Sequence, residues 1–427
     1  MSTLKAVRGT RDLLPPDTAL WNRIEATARS VFARYNFGEI RTPIFEDTAL
    51  FARGVGEETD IVSKEMYTWE DRARAQSEKT QSLTLRPENT AGVVRAYIEH
   101  QLGETGQLQK LYYIGPQFRR ERPQKGRYRQ FSQIGAEVIG PPSAGSESPL
   151  RDAEVLEMLA TLLDELGISG WTLNLNSVGS AADRARYNET LRAALVPVVG
   201  QMCEDCQRRA VTNPLRVLDC KVPADQPIID TLPVIADSLD EESKRHFAAV
   251  LAALDAAGVP YTRNHRLVRG LDYYTRTTFE FTHGGLGAQN ALLGGGRYDG
   301  LSEAIGGPKA PGIGFAMGED RLVLTLQALE TAPVYEKAAA FIAPLGDGLN
   351  AAALALAREL RRAGLRVELG DGSFRLKKSF EAADKTAHAI VIMGEDELQS
   401  GILTVKNFST GIQSKVPRGE LAVFLSN

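Results

Sequence analysis

Cysteine and histidine are both scarce in this 427-residue chain, with three of the first and five of the second. So few cysteines exclude a disulfide-stapled scaffold. Cys203, Cys206 and Cys220 do begin with a C-x2-C pair of the kind that holds zinc. A fourth cysteine is missing, however, and none of histidines 100, 246, 265, 283 and 388 lies close by. Zinc is therefore not expected, and reduced thiols in a reducing compartment are. Runs of ~18 apolar residues are absent, as is a basic-then-apolar start, so no membrane span is predicted and a cytoplasmic location is expected. Excess charge of one sign is lacking too: 50 Lys+Arg against 54 Asp+Glu leave −4. A nucleic-acid partner would have to be met by local basic patches. The P-loop pattern is missing, as are a G-x-G-x-x-G between strand and helix and a Ser/His/Asp order.

What is present is a globular composition, 43% hydrophobic and 24% charged, over a length that suggests roughly three domains. Leu20, Ile24, Ala28, Val31 and Phe32 recur at helical intervals behind a Pro/Asp start. "EIRTPIFED" reads as a strand interrupted by Pro43, which suits an edge or an interface. "SLTLRPENTAGVVRAYIEH" reads as strand, turn and helix, the turn at Arg86–Asn89. "KLYYIGPQFRRE" and "RQFSQIGAEVIG" read as two antiparallel strands joined by the basic loop "RPQKGRYR". An apolar helix from Ala153 to Leu166 and a strand "WTLNLNSVG" follow. Residues from about 180 to 258 look like an inserted helical module containing the cysteines. "RLVRGLDYYTRTTFEF" and "LLGGGRYDGL" resume strands and glycine turns, and "GIGFAMGEDRLVLTLQAL" runs from a glycine-punctuated strand into a helix. From about 334 onward strands and helices alternate, the pattern of a separate α/β domain with a mostly parallel sheet.

Charge concentrates in one place. Phe118–Arg129 carries five arginines and one lysine, and the next strand then holds a single glutamate, Glu137. The plain alternative is a solvated loop before an ordinary strand. As a hairpin, alternate residues share a face, pairing Arg119 with Glu121 on one strand and Gln133 with Glu137 on the other. Gln133 and Glu137 would lie roughly 13–14 Å apart, able to hold the two ends of a small polar molecule. Guanidinium groups at the root and tip of the hairpin suit phosphate oxygens. Buried charge on a sheet face is costly without partners, which favours a ligand-lined cleft. Gly312, Gly314 and Gly318 allow close approach of backbone or ligand. Arg321, in the first turn of the following helix, fits an anion bound at that helix start.

Taken together these stretches resemble the histidyl-tRNA synthetase family of class II aminoacyl-tRNA synthetases. "FRRE" with its basic loop is similar to class II motif 2, and "GIGFAMGEDRL" to motif 3. "LVRGLDYYTRTTFEF" and "GGGRYDGL" resemble the family's two histidine-specific segments. "RGTRDLLP", "EMYTW", "LRPENTA", "NPLRVLDCK" and "VKNFSTGIQ" fit as well, so the likeness covers about residues 4 to 425. The fold it implies is α+β: an antiparallel catalytic sheet of six-stranded type flanked by helices (1–330), the helical insertion, and a C-terminal α/β anticodon-binding domain (334–427). It implies a homodimer, with the Pro43 strand and its neighbouring helix at the interface. The implied activity joins L-histidine to ATP, then passes the histidyl group to the 3′-terminal adenosine of histidine tRNA.

By the same resemblance Arg119 holds the α-phosphate, Glu121 the adenine amino group and Arg321 the γ-phosphate, with Arg127 also on ATP. Arg269 is similar to the family's special arginine, acting on the α-phosphate where other class II enzymes rely on a metal. Glu88, Thr90 and Gln133 receive the α-amino group of histidine. Glu137 and Tyr274 read its imidazole, with Tyr273 and Tyr298 lining the pocket. Mg2+ is expected with the nucleotide; no permanent cofactor, protein-bound metal or membrane is. "PENT" departs from the family pattern by placing Asn89 where glycine is usual, which bears on the local turn, since Asn tolerates positive φ comparatively well. The other reading of the likeness is a catalytically silent paralogue that regulates ATP phosphoribosyltransferase. Such proteins lack the anticodon domain and lose site residues, whereas here Arg119, Arg269, Arg321 and the residues from 334 are all present.

Overall fold

The computed structural model describes residues 3–56, 59–71, 80–122, 126–269, 273–286, 290–329 and 337–426. The chain folds into two compact units, Met1–Pro333 and Val334–Asn427. The first contains β1 (Gly38–Glu39), β2 (Phe45–Asp47), β3 (Tyr67–Asp71), β4 (Gln81–Leu85), β5 (Gln109–Phe118), β6 (Gln130–Ile139), β7 (Trp171–Ser177), β8 (Thr262–Arg263), β9 (Thr275–His283), β10 (Ala291–Arg297) and β11 (Gly312–Gly318). Eight of these form one sheet in the order β1-β5-β6-β11-β10-β9-β7-β8. The six central strands pair antiparallel throughout, and only the two-residue strands β1 and β8 join in parallel at the edges.

Strand periodicity decides what each face of the sheet does. Ile134, Ala136 and Val138 of β6, Ile313, Phe315 and Met317 of β11, and Phe279 and Phe281 of β9 all enter the main core. There they meet Leu20, Ile24, Ala28, Val31 and Phe32 of the helix Asp17–Arg34 and the apolar stripe of Pro149–Glu165. Each such aliphatic or aromatic side chain contributes about 1.5–3 kcal/mol on burial. The alternate residues, Gln133, Gly135 and Glu137 on β6 and Gly312 and Gly314 on β11, therefore turn to the opposite face. That face is the floor of the candidate site.

Several elements differ from the sequence reading. "EIRTPIFED" is not one interrupted strand: β1 pairs with β5 in the large sheet, while β2 pairs with β4 in a separate three-stranded sheet, β2-β4-β3. Pro43, which has no N–H for a ladder, sits at the crossing between them. The helix predicted from Ala153 begins earlier, at Pro149, because Ser148 caps it through the Leu150 N–H and proline is welcome at the first helical position. Within 180–258, a small core of its own runs from Val178 and Tyr187 through Ile235 and takes in Val268. The last helix, Glu241–Ala257, instead sends Phe247, Val250 and Leu254 into the main core.

In the second unit β12 (Ala338–Pro344), β13 (Val367–Leu369), β14 (Ala387–Met393), β15 (Ile402–Asn407) and β16 (Gln413–Pro417) form one sheet ordered β13-β12-β14-β15-β16. The first three are parallel, but β14–β15 and β15–β16 are antiparallel, so the sheet is mixed rather than mostly parallel. The β15–β16 pair is a short hairpin: the Asn407 side chain accepts the N–H groups of Ser409 and Thr410 and turns the chain straight back. Among the described residues no helix is long and apolar enough to cross a membrane.

Candidate active site

Glycines clear the floor. Gly314 stands opposite Glu137 in the β6–β11 register, and a Cβ there would lie 1.7 Å from Glu137 Oε2. At Gly312 a Cβ would meet the Tyr298 ring at 2.4 Å, and at Gly296 the Tyr274 ring at 2.8 Å. At Gly294 it would strike the Arg269 guanidinium at 2.5 Å. The "GGG" run is thus part of buried strand β10, not a turn: its missing side chains are replaced by an arginine, a tyrosine and, at Gly295, Phe279 and the Gly314 carbonyl. Gly318 has nothing within 4 Å of such a Cβ, so close approach is needed at Gly312 and Gly314 alone of the three.

Over this floor lies a buried polar pocket. Glu137 is 0% exposed; Thr90 Oγ1 donates to its Oε1 at 2.7 Å and Tyr298 OH to its Oε2 at 2.7 Å. Burial pushes its carboxyl up to about 8. Tyr273 stacks obliquely between Tyr274 and Tyr298, with ring centroids 4.7 and 5.9 Å away. Glu88 accepts the Thr90 and Ala91 N–H groups at 2.7 and 3.0 Å and so caps the helix Thr90–Glu99. Burial raises its carboxyl, and those two donors pull the other way. Asn89, whose φ is −122°, needs no left-handed backbone, so the departure from glycine costs the turn nothing. Its Oδ1 accepts from Thr42 Oγ1 at 2.5 Å.

The adjoining cleft, about 500 Å3, is lined by Arg119, Glu121, Arg127, Gln133, Arg269 and Arg321. Strand β5 ends at Phe118, so Arg119 and Glu121 belong to the loop rather than to one strand face, as the alternation had suggested. Arg119 Nε donates to the Pro87 carbonyl at 2.9 Å, and its guanidinium lies 5.3 Å over the Phe131 ring. Glu121 pairs with Arg127 at 3.1 Å. Arg269 pairs with Glu280 at 2.7 Å. Arg321, from the first turn of Glu319–Ala328, reaches back to the Ala291 carbonyl at 2.8 Å. Three guanidinium groups and a buried carboxylate pocket thus share one sheet face, linked by β6, which carries both Gln133 and Glu137.

A family model described as histidyl-tRNA synthetase matches residues 9–322, and one described as anticodon binding domain matches 339–427. The chain belongs to the histidyl-tRNA synthetase family. A curated protein named histidine–tRNA ligase, from Koribacter versatilis (strain Ellin345), is 74% identical over 425 residues, covering 99% of this chain and 96% of its own. One of the same name from Solibacter usitatus (strain Ellin6076) is 56% identical over 99% of each. The crystal structure of apo histidyl-tRNA synthetase from S. aureus superposes over the full length of both chains with TM-score 0.80 at 39% identity.

Against this histidyl-tRNA synthetase fold, the structure also places residues that motif reading passed over. Tyr113, opposite Gly135 on β5, has a buried hydroxyl pressed against that glycine in the pocket floor. Glu280 holds Arg269, and Arg216 and Asp219 of the helical module form part of the cleft wall. Strand alternation gives the signal for Tyr113 and Glu280, which are out of phase with the core residues beside them. Arg216 and Asp219 lie in "NPLRVLDCK", a stretch that fits the family but whose spacing assigns no role, and they arrive from a different core. The tip of the basic loop, 123–125, and the turn after Arg269, 270–272, lie outside the described residues.

Gly314→Ala is expected to lower kcat/KM for histidine by on the order of tenfold to a hundredfold, because misplacing Glu137 by ~1 Å is enough. Steady-state kinetics check this; an unchanged kcat/KM for histidine would show that Glu137 can move aside freely.

Proposed function

We propose that this chain is a histidine–tRNA ligase. It activates L-histidine with ATP to histidyl-adenylate and pyrophosphate, then transfers the histidyl group to the 3′-terminal adenosine of histidine tRNA. The observation that carries this reading is that one strand, β6, brings Gln133 into the lining of the arginine cleft and Glu137 in among the buried tyrosines on the same sheet face.

In this reading the imidazole enters the tyrosine-walled pocket. Each Glu137 oxygen already takes one protein donor and keeps a lone pair for a ring N–H. Tyr274 reads the other ring nitrogen, and Glu88, Thr90 and Gln133 receive the α-ammonium. The histidine carboxylate then faces the cleft, where Arg119 and Arg269 hold the α-phosphate, Arg321 the γ-phosphate and Glu121 the adenine amino group, with Arg127 beside it. A carboxylate oxygen attacks the α-phosphorus, the bond to the bridging oxygen breaks, and pyrophosphate leaves. No general base is needed, since the nucleophile is already an anion. Fixed guanidinium groups lower the barrier by meeting charge that develops at the phosphate, in a site where they need not reorganise. The terminal ribose hydroxyl of tRNA then attacks the histidyl carbonyl and releases AMP.

Mg2+ would be held at the cleft by the oxygen donor Glu65 together with the nucleotide's phosphates. Burial and the neighbouring Glu121 charge raise the Glu65 carboxyl, a crowding that a cation relieves. When bound, the ion neutralises phosphate charge. A second copy of the chain belongs to the proposal as well. Ile44, Phe45 and Trp69 are exposed, the last two by 52% and 40%, and Phe45 packs edge-on against Trp69 beside Pro43.

Pyrophosphate exchange into ATP tests the reading. Exchange is expected with histidine and not with proline or threonine. No exchange with histidine would favour the silent regulatory paralogue, and equal exchange with the other amino acids would remove the assigned pocket.

A further inference from the structure

The helical module holds a cluster that amino-acid activation does not use. Asp225 joins Cys203, Cys206 and Cys220, and one ligand atom from each lies within 4.8 Å of all the others. Cys203 Sγ and Cys220 Sγ are 3.9 Å apart, far beyond a disulfide bond, and Cys220 Sγ is 3.2 Å from Asp225 Oδ2. Tetrahedral zinc, with Zn–S about 2.3 Å and Zn–O about 2.0 Å, requires S···S edges of about 3.8 Å and S···O edges of about 3.5 Å. The Cys203–Cys220 and Cys220–Asp225 edges lie close to those of that polyhedron, and the remaining edges are no longer than 4.8 Å. Cys206, Cys220 and Asp225 are buried and Cys203 is partly buried.

We propose that Cys203, Cys206, Cys220 and Asp225 form a structural Zn2+ site. Three soft thiolates select zinc over magnesium or calcium, and four protein ligands leave no open position for chemistry. The outer contacts are already those of a metal-binding turn. The Val222 N–H points at Cys220 Sγ at 3.4 Å, and the Cys203 N–H donates to both Asp225 oxygens at 3.1 and 3.2 Å. The absence of a fourth cysteine had argued against zinc; Asp225 supplies that ligand, and no metal-binding motif with this spacing announces it.

The clamp has a structural purpose. The module's core is small, and small cores rely on staples. Zinc would tie the start of the helix Glu204–Thr212 to the end of the turn Pro214–Asp219, which brings Arg216 and Asp219 to the cleft wall.

The full chain, purified under reducing conditions, equilibrated with Zn2+ and desalted, is expected to retain about one zinc per chain by elemental analysis. Cys206→Ser and Asp225→Ala should retain far less. Retention of none by the wild type, or equal retention by Cys206→Ser, would overturn the site. Should the variants not fold, Co2+ loading of the wild type decides. Thiolate-to-cobalt charge transfer and the intense visible bands of a tetrahedral ion are expected, and a weak octahedral spectrum would overturn the assignment. So would a Cys203–Cys220 disulfide in the freshly isolated protein, read as one reactive thiol instead of three.

Discussion

Arg269→His is expected to lower histidine-dependent pyrophosphate exchange by about three orders of magnitude, with the dissociation constant for histidine little changed. Arg269 stands over Gly294 and is held by Glu280 at 2.7 Å, and its Nε is buried without a hydrogen-bond partner among the described residues. A guanidinium fixed in that way gains most when phosphate charge develops beside it. Histidine is shorter, loses the fork and is mostly neutral above its ordinary titration range. Exchange kinetics paired with calorimetric binding of histidine separate the two quantities. An equal loss in both would move Arg269 from the reacting phosphate to ground-state recognition of the amino acid.

Glu137→Gln keeps the shape and removes the ionisable carboxyl, and should cost on the order of a hundredfold to a thousandfold in kcat/KM for histidine, as expected where a site built to satisfy polar groups is left unpaired. The same variant carries an opposite effect on stability. The carboxyl is pushed up to about 8 in the fold from an ordinary value near 4.5. The native state therefore binds the extra proton between those limits. Stability from this group is full below the lower value and is lost as pH rises through the upper one. Glu319, also pushed up to about 8 by burial, is common to both proteins and cancels. Without ligands, the variant should gain on the wild type in thermal midpoint from about pH 5 to about pH 8.5, by the equivalent of a few kcal/mol. A pH-independent difference would show that Glu137 is ionised throughout; unchanged kinetics would remove it from imidazole recognition.

Much of the catalytic half could be read from local pattern. The antiparallel hairpin of β5 and β6, the glycine-punctuated strand running into its helix, and the shared face of Gln133 and Glu137 follow from local pattern, whereas the six-stranded antiparallel sheet was expected only from the family resemblance. What escaped depended on contacts distant in sequence. The three-glycine run looked like a turn because flexibility is the local meaning of glycine. Only with Arg269, Phe279 and Tyr274 folded over it does it become a strand. Arg119 looked like a strand residue until β5 stopped at Phe118, and Tyr298 proved to be the hydrogen-bond donor to Glu137 rather than lining alone. Asp225 is invisible as a partner of the cysteines until the module is closed around its own small core. In the second unit, β15 runs antiparallel to β14 and pairs with β16 in a hairpin, so the mostly parallel sheet that was expected is a mixed one.

The glycine floor also bears on how the amino-acid preference of this protein can drift. Every mutation at Gly294, Gly296, Gly312 or Gly314 adds atoms where a guanidinium, a phenol ring or a carboxylate already sits. Evolution or selection at those codons can only narrow the chamber. A chain with a wider diet would have to gain it from the rim, at Tyr273 or Gln133, and a screen for altered substrate range should return changes there and none in the floor.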